Sequence, residues 1–260
     1  MSYPSLTQTR FIVLAQQRTG TNHLLSLLGS HPDVAAFGEV FSSPRQIQFG
    51  MGLAVHFRSQ LPPPDEKTLL EAREADPVGF LKTHVFGTVT RAARAVGFKL
   101  FYDHCRTGRE PEVWSWLEQQ KEIAVIHLRR RNILRTLLSK RLANATGVWH
   151  QTSGETPPEP SAIPLQESDC REFFARSLLH ERAADYRFRF HRVLPLWYED
   201  LDERPDSASK AAQAFLGLPP QPSRSRLVKQ AAGGLRARIE NYDELKRAFA
   251  SEHARVFFEE

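Results

Sequence analysis

Residues Phe11 to Phe41 read FIVLAQQRTGTNHLLSLLGSHPDVAAFGEVF, and their pattern decides the fold. The stretch opens on Phe11-Ile12-Val13-Leu14-Ala15, an apolar run short enough for a strand buried on both faces. A polar turn, Gln16 to Asn22, then offers one glycine for close backbone approach, two hydroxyls, a fixed cation at Arg18 and several N–H groups at the mouth of a helix. Together these make an anion cradle. Leu24, Leu25, Leu27 and Leu28 share one face of that helix, which stops at His31-Pro32. A second short strand, Val34 to Phe37, leads into Gly38-Glu39.

Working outward, 260 residues suffice for one large α/β domain spanning 1–260, and 41% hydrophobic content fits a globular chain. No run approaches the roughly 18 apolar residues of a membrane span, and the start, MSYPSLTQTR, lacks the apolar core of a secretion signal. Cytoplasmic residence is expected. Cys105 and Cys170 lie far apart without metal-type spacing, so neither a zinc site nor another metal is expected. Lys and Arg total 35 against 30 Asp and Glu, which favours polyanionic partners; composition leaves a phosphorylated nucleotide and nucleic acid both open.

Beyond Glu39, periodicity is lost through residues 42–67, a long excursion suited to an acceptor wall or an ordinary packed loop. A short helix is predicted over Thr68 to Ala75, and Val78 to Thr83 reads equally as a strand or as the start of a helix running to Ala95. Val96 to Tyr102 is a strand, Glu112 to Gln120 a helix, and Glu122 to Leu128 a second strongly apolar strand running into Arg129-Arg130-Arg131. A helix follows from Asn132, closed by Gly147. Residues 151–168 are polar and proline-rich, as in a lid. Helix over Asp169 to Arg182, strand over Val193 to Tyr198, helix over Ser207 to Leu216 and a C-terminal helix from Leu235 to Phe249, packed on the sheet, complete the chain. The alternation predicts a P-loop-like three-layer α/β fold: a central parallel sheet flanked by helices, with ligands outside the carboxyl ends of the strands.

The turn is not the usual nucleoside-triphosphate loop, because Ala15 stands for the first glycine of G-x-x-x-x-G-K-[ST] and Thr21 for the lysine. Arg18-Thr19-Gly20-Thr21 is instead similar to the 5′-phosphosulfate loop of sulfotransferases. The segment IAVIHLRRRNILRTLLS resembles their 3′-phosphate motif, an arginine at a strand end and a serine eight residues on: Arg131 and Ser139. Gly38-Glu39, Val96 to Lys99, Tyr198 to Leu201 and the tail IENYDEL add to the likeness, which covers most of the chain except 42–67 and 151–168. The chain thus resembles the PAPS-dependent sulfotransferase superfamily, above all its bacterial carbohydrate-type branch, the nodulation and glycolipid sulfotransferases.

That resemblance implies transfer of a sulfuryl group from 3′-phosphoadenosine 5′-phosphosulfate (PAPS) to an acceptor hydroxyl of a carbohydrate, glycolipid or other small molecule, without metal and without nucleic acid as partner. It implies that Arg18, Thr19, Gly20, Thr21 and Asn22 hold the phosphosulfate, that Arg131 and Ser139 grip the 3′-phosphate, and that Glu39 takes the acceptor's proton. His104 is the rival base, and Lys99 faces acceptor or sulfate or is a plain strand lysine. His84, in an L-K-T-H sequence like that of cytosolic members, falls too far before the second arginine to match them. The R-K-G segment those members carry near the C-terminus is absent, with Arg224, Arg226 and Lys229 as possible substitutes. Tyr198-Glu199-Asp200 reads as structural. A P-loop-type kinase and a non-catalytic module for anionic polymers are the alternatives.

Overall fold

In the computed structural model, which describes residues 8–43, 45–48, 65–87, 93–147, 162–225 and 234–259, five strands make one sheet. They are β1 (Thr9–Ala15), β2 (Val34–Phe37), β3 (Ala95–Phe101), β4 (Ala124–Arg129) and β5 (Val193–Trp197). Their order is β2-β3-β1-β4-β5, and every pairing is parallel. Parallel strands demand crossovers, and helices supply them: α1 (Thr21–Gly29) after β1, α4 (Pro111–Gln119) after β3, and α5 (Ile133–Thr146) and α6 (Glu167–Arg187) between β4 and β5. The expected α/β architecture is what forms.

Register decides what meets at the functional edge. Ala15 stands opposite Phe101 on one side and Leu128 on the other, so the turns after β1, β3 and β4 open side by side. Phe37 stands opposite Phe98, and the Lys99 amide donates to the Gly38 carbonyl over 3.2 Å, which brings Glu39 alongside Lys99.

Alternation along the strands sorts side chains between two cores. Phe11, Val13 and Ala15 pack with Leu24, Leu27 and Leu28 of α1 and with Ala208, Ala212 and Leu216 on and after α8 (Pro205–Phe215). Ile12 and Leu14 point the other way, toward Phe98, Leu100, Val113, Leu117 and Phe188. Residues 11–15 are fully buried, and each of the larger side chains contributes about 1.5–3 kcal/mol relative to exposure.

On the second of these faces lies a polar cluster, buried at Tyr102 and His127 and opening to solvent at Asp185. The Tyr102 hydroxyl is 2.6 Å from His127 Nε2, and Asp185 of α6 lies 3.1 Å from His127 Nδ1 and 2.5 Å from the Arg129 guanidinium. Glu181, one turn earlier on α6, is pushed up to about 7, chiefly by burial, with Asp185 adding and Arg129 opposing.

Several expectations need correction. The segment after Ala75 is neither strand nor long helix. It is α3 (Pro77–Phe80) followed by a π-turn at Leu81–Val85, and residues 88–92 lie outside the described residues. The helix before it, α2 (Glu66–Ala75), starts two residues early because Asp65 accepts from the Thr68 amide as its cap. The α6 helix runs on to Arg187. Tyr198–Glu203 is a helix of its own, α7.

The C-terminal segment is not one helix on the sheet. It breaks into α9 (Leu235–Arg238) and α10 (Tyr242–Ala248), because Ile239 turns extended and bridges Ile163. Its apolar residues join Leu134, Leu137, Phe173 and Phe174 of α5 and α6 in a third core with no strand in it. Most of the two expected acceptor loops, residues 49–64 and 151–161, lies outside the described residues, as do Arg226 and Lys229.

Candidate active site

The turn after β1 folds tightly. Arg18 and Gly20 both have positive φ, 69° and 85°, and the Thr19 hydroxyl donates to the Gln16 carbonyl over 2.8 Å. Gly20 is required twice over. Its backbone is left-handed, and a Cβ there would sit 2.5 Å from a ring carbon of Tyr198. It also caps α1 without offering a side chain, so no side chain occupies the helix mouth from the cap position.

Two cations frame this mouth. Arg18 Nε donates to Ser139 Oγ over 3.0 Å, and Arg130 donates to the Arg18 carbonyl over 3.2 Å while its guanidinium stacks 4.2 Å over the Tyr198 ring. Burial, and then Arg130, weakens Arg18's hold on its proton. Burial does the same to Arg130, whose Nε is buried with no hydrogen-bond partner among the described residues. Two crowded guanidiniums and an orphaned N–H describe a place for an anion.

Of the two expected 3′-phosphate residues, Ser139 is here and Arg131 is not. Arg131 turns outward, its side chain 50% exposed, pairing with Asp200 at 2.8 Å and lying over the Trp197 ring. The inward residue is Arg130. Alternation along β4 sends Ile126 and Leu128 to the α1 face, and Arg130 continues that set. The resemblance points to Arg131 through its spacing to Ser139, whereas strand alternation selects Arg130. Tyr198-Glu199-Asp200 buttresses the corner: Glu199 accepts from the amides of Arg131 and Asn132 at 3.1 and 3.3 Å.

On the other side of β1 stands Glu39. Oε1 meets Lys99 Nζ at 2.8 Å, and Oε2 lies 3.6 Å from His104 Nε2. Lys99, only 3% exposed, also donates to Asn22 Oδ1 over 2.5 Å, so the expected lysine joins the donor loop to the carboxylate. His104 is held by its other nitrogen, which accepts from the Phe101 amide at 3.3 Å, so a neutral ring carries its proton on Nε2, toward Glu39. Burial pushes Glu39 up, but His104 and Lys99 together outweigh it and bring it down to about 2.

Glu39 is anchored from behind by a residue the sequence did not announce. Arg73, 2% exposed, donates to the carbonyls of Val40 and Ser43, each at 2.6 Å, and of Gln46 at 3.2 Å. A lone arginine in an amphipathic helix carries no signal of that role. His84 packs against the Phe80 ring on the π-turn. Arg224 lies beside α1, its amide donating to Ser30 Oγ over 3.1 Å.

No family model matches the chain. It is 29% identical over 257 residues to Nodulation protein H of Rhizobium tropici, covering 96% of this chain and 92% of that protein. It is 28% identical over 264 residues to Nodulation protein H of Rhizobium meliloti (strain 1021), covering 100% and 98%. The solved sulfotransferase domain from the curacin biosynthetic pathway superposes with a TM-score of 0.54 at 16% identity, covering 98% of this chain and 97% of that one, which establishes a shared fold. The chain is thus similar over its whole length to Nodulation protein H, and it shares the fold of a solved sulfotransferase domain. The anion-binding turn follows β1, and the Glu39 cluster draws on the ends of β2 and β3, the next two strands of the same sheet. Among the described residues no helix is long and apolar enough to cross a membrane.

Proposed function

We propose that the protein moves a sulfuryl group from PAPS to a hydroxyl of a carbohydrate, glycolipid or other small acceptor, in the cytoplasm. The observation that carries this reading is the adjacency, through Lys99, of an anion cradle and a half-buried carboxylate: Lys99 touches Asn22 on one side and Glu39 on the other. The Arg130 guanidinium, held on the Arg18 carbonyl and over the Tyr198 ring, together with Arg18 and the Ser139 hydroxyl, fits a nucleotide bearing phosphates at two positions.

Under this reading Arg18 and the amides at the head of α1 hold the 5′-phosphosulfate, and Arg130 and Ser139 hold the 3′-phosphate. Arg131 contributes field rather than contact. The acceptor oxygen forms a bond to sulfur as the bond from sulfur to the bridging phosphate oxygen breaks, leaving its electron pair on the phosphate, where Arg18 offsets the new charge. The hydroxyl proton passes to Glu39, and His104 orients that carboxylate. Holding both reactants on one rigid sheet edge supplies the alignment that in-line displacement needs.

The test is transfer of label from 35S-PAPS to a panel of oligosaccharides and glycolipids, alongside calorimetry with 3′,5′-bisphosphoadenosine. Glu39→Gln should bind the bisphosphate normally and turn over about 10²–10⁴-fold more slowly. Phosphorylation of acceptors by magnesium ATP with no use of PAPS would replace the reading with a kinase. Salt-sensitive binding of RNA with no preference for the bisphosphate would replace it with a binding module.

A further inference from the structure

Lys99 spans the donor loop and the carboxylate. Its ammonium has three N–H donors, and Asn22 and Glu39 use two of them, while the Phe101 ring lies 5.1 Å away. Burial weakens the lysine's hold on its proton, Glu39 restores part of it, and the Arg18 charge weakens it again. Two cations therefore press on a space that one carboxylate only partly neutralises. Of the two, Arg18 is fixed by Ser139 and by a left-handed backbone. Lys99 sits on a rotatable four-carbon stem.

While Lys99 holds Glu39, the carboxylate is a weak base, since Lys99 and His104 bring it down to about 2 against the opposing push of burial. General-base efficiency rises with basicity toward the working pH. The geometry seen here is thus a resting arrangement. Something must take the ammonium away before Glu39 can receive a proton well.

We propose that Lys99 couples donor loading to release of the base: when the sulfuryl group arrives between Arg18 and Lys99, the ammonium turns from Glu39 Oε1 to the sulfuryl oxygens and frees that carboxylate oxygen for the acceptor hydroxyl. The proposal rests on the PAPS reading above. In the step itself the acceptor oxygen bonds to sulfur, the bond from sulfur to phosphate oxygen breaks with its electrons left on the phosphate, and the hydroxyl proton goes to Oε1. Oε2 stays with His104, and Asn22 keeps its contact with the stem's end. Without donor the base stays masked.

The experiment compares two probes, PAPS and 3′,5′-bisphosphoadenosine, by calorimetry on the full chain and on Glu39→Gln, Lys99→Met and the double variant. Bisphosphate affinity should stay within about twofold throughout, because it lacks the sulfuryl group. Lys99→Met should weaken PAPS about tenfold or more, the scale of one charge-assisted hydrogen bond. Glu39→Gln should tighten PAPS several-fold by ending the competition for the ammonium, and that gain should vanish when Lys99 is also methionine. If Lys99→Met does not fold, Lys99→Gln takes its place. An equal gain in both backgrounds would reduce the effect to loss of a nearby negative charge and overturn the coupling. So would a PAPS-to-bisphosphate ratio indifferent to Lys99. Failure of the unsubstituted protein to bind either probe would instead sink the donor reading on which this rests.

Discussion

Arg18 Nε donates to Ser139 Oγ across 3.0 Å, although 121 residues separate them in the chain. The bond ties the turn after β1 to the second turn of α5, so the two halves of the anion cradle are assembled before any ligand arrives.

Arg130 and Arg131 should accordingly separate in a binding assay. Arg130→Ala removes the inward guanidinium with its unpartnered N–H, and affinity for 3′,5′-bisphosphoadenosine should fall about 10–100-fold. Arg131→Ala removes an exposed partner of Asp200 and should cost less than about threefold at moderate salt. Calorimetry on both variants decides it, and the reverse ranking would return the 3′-phosphate to Arg131.

Gly20→Ala faces a left-handed backbone worth about 1–2 kcal/mol and a ring carbon of Tyr198 at 2.5 Å. The variant should lose thermal stability and nucleotide binding together. Gly29→Ala, on the same helix with nothing within 4 Å of the added carbon, should leave both unchanged or raise the melting temperature slightly.

Arg73→Met leaves the carbonyls of Val40, Ser43 and Gln46 without their shared donor. The expected cost is about 2–4 kcal/mol by urea denaturation, and because Glu39 precedes this loop, turnover should drop while bisphosphate affinity holds.

Glu181 gives a pH signature. Its carboxyl is raised to about 7 in the folded protein, so its contribution is fully present below the ordinary carboxylate range near pH 4 and is lost as pH climbs through 7. Between pH 5 and 8 the melting temperature of the unsubstituted protein should decline relative to Glu181→Gln. Parallel curves for the two proteins would show that the carboxyl titrates normally.

Much of this was legible in the chain itself. The strands Val34–Phe37 and Val193–Trp197 and the helix from Asn132 to Gly147 follow from short apolar runs bounded by a turn, a cap or a left-handed glycine. Glu39 and His104 are marked by place, just beyond strands, and Lys99 by its place within one. What stayed hidden depended on partners distant in sequence. Arg73 works because a loop 27 to 33 residues earlier wraps it. The break at Ile239 exists because Ile163 waits beside it. Periodicity reports a residue's own element and is silent about which neighbour interrupts it.

The sheet order also bears on how the chain is made. β1 finds its hydrogen bonds only with β3 and β4, so residues 11–15, every one apolar, leave the ribosome with no strand to join until residue 95 has been synthesised. At typical elongation rates that wait is roughly 4–17 s, long compared with hydrophobic collapse. The nascent chain is thus a natural client for holding chaperones, and fragments ending before residue 124 are expected to accumulate as insoluble material.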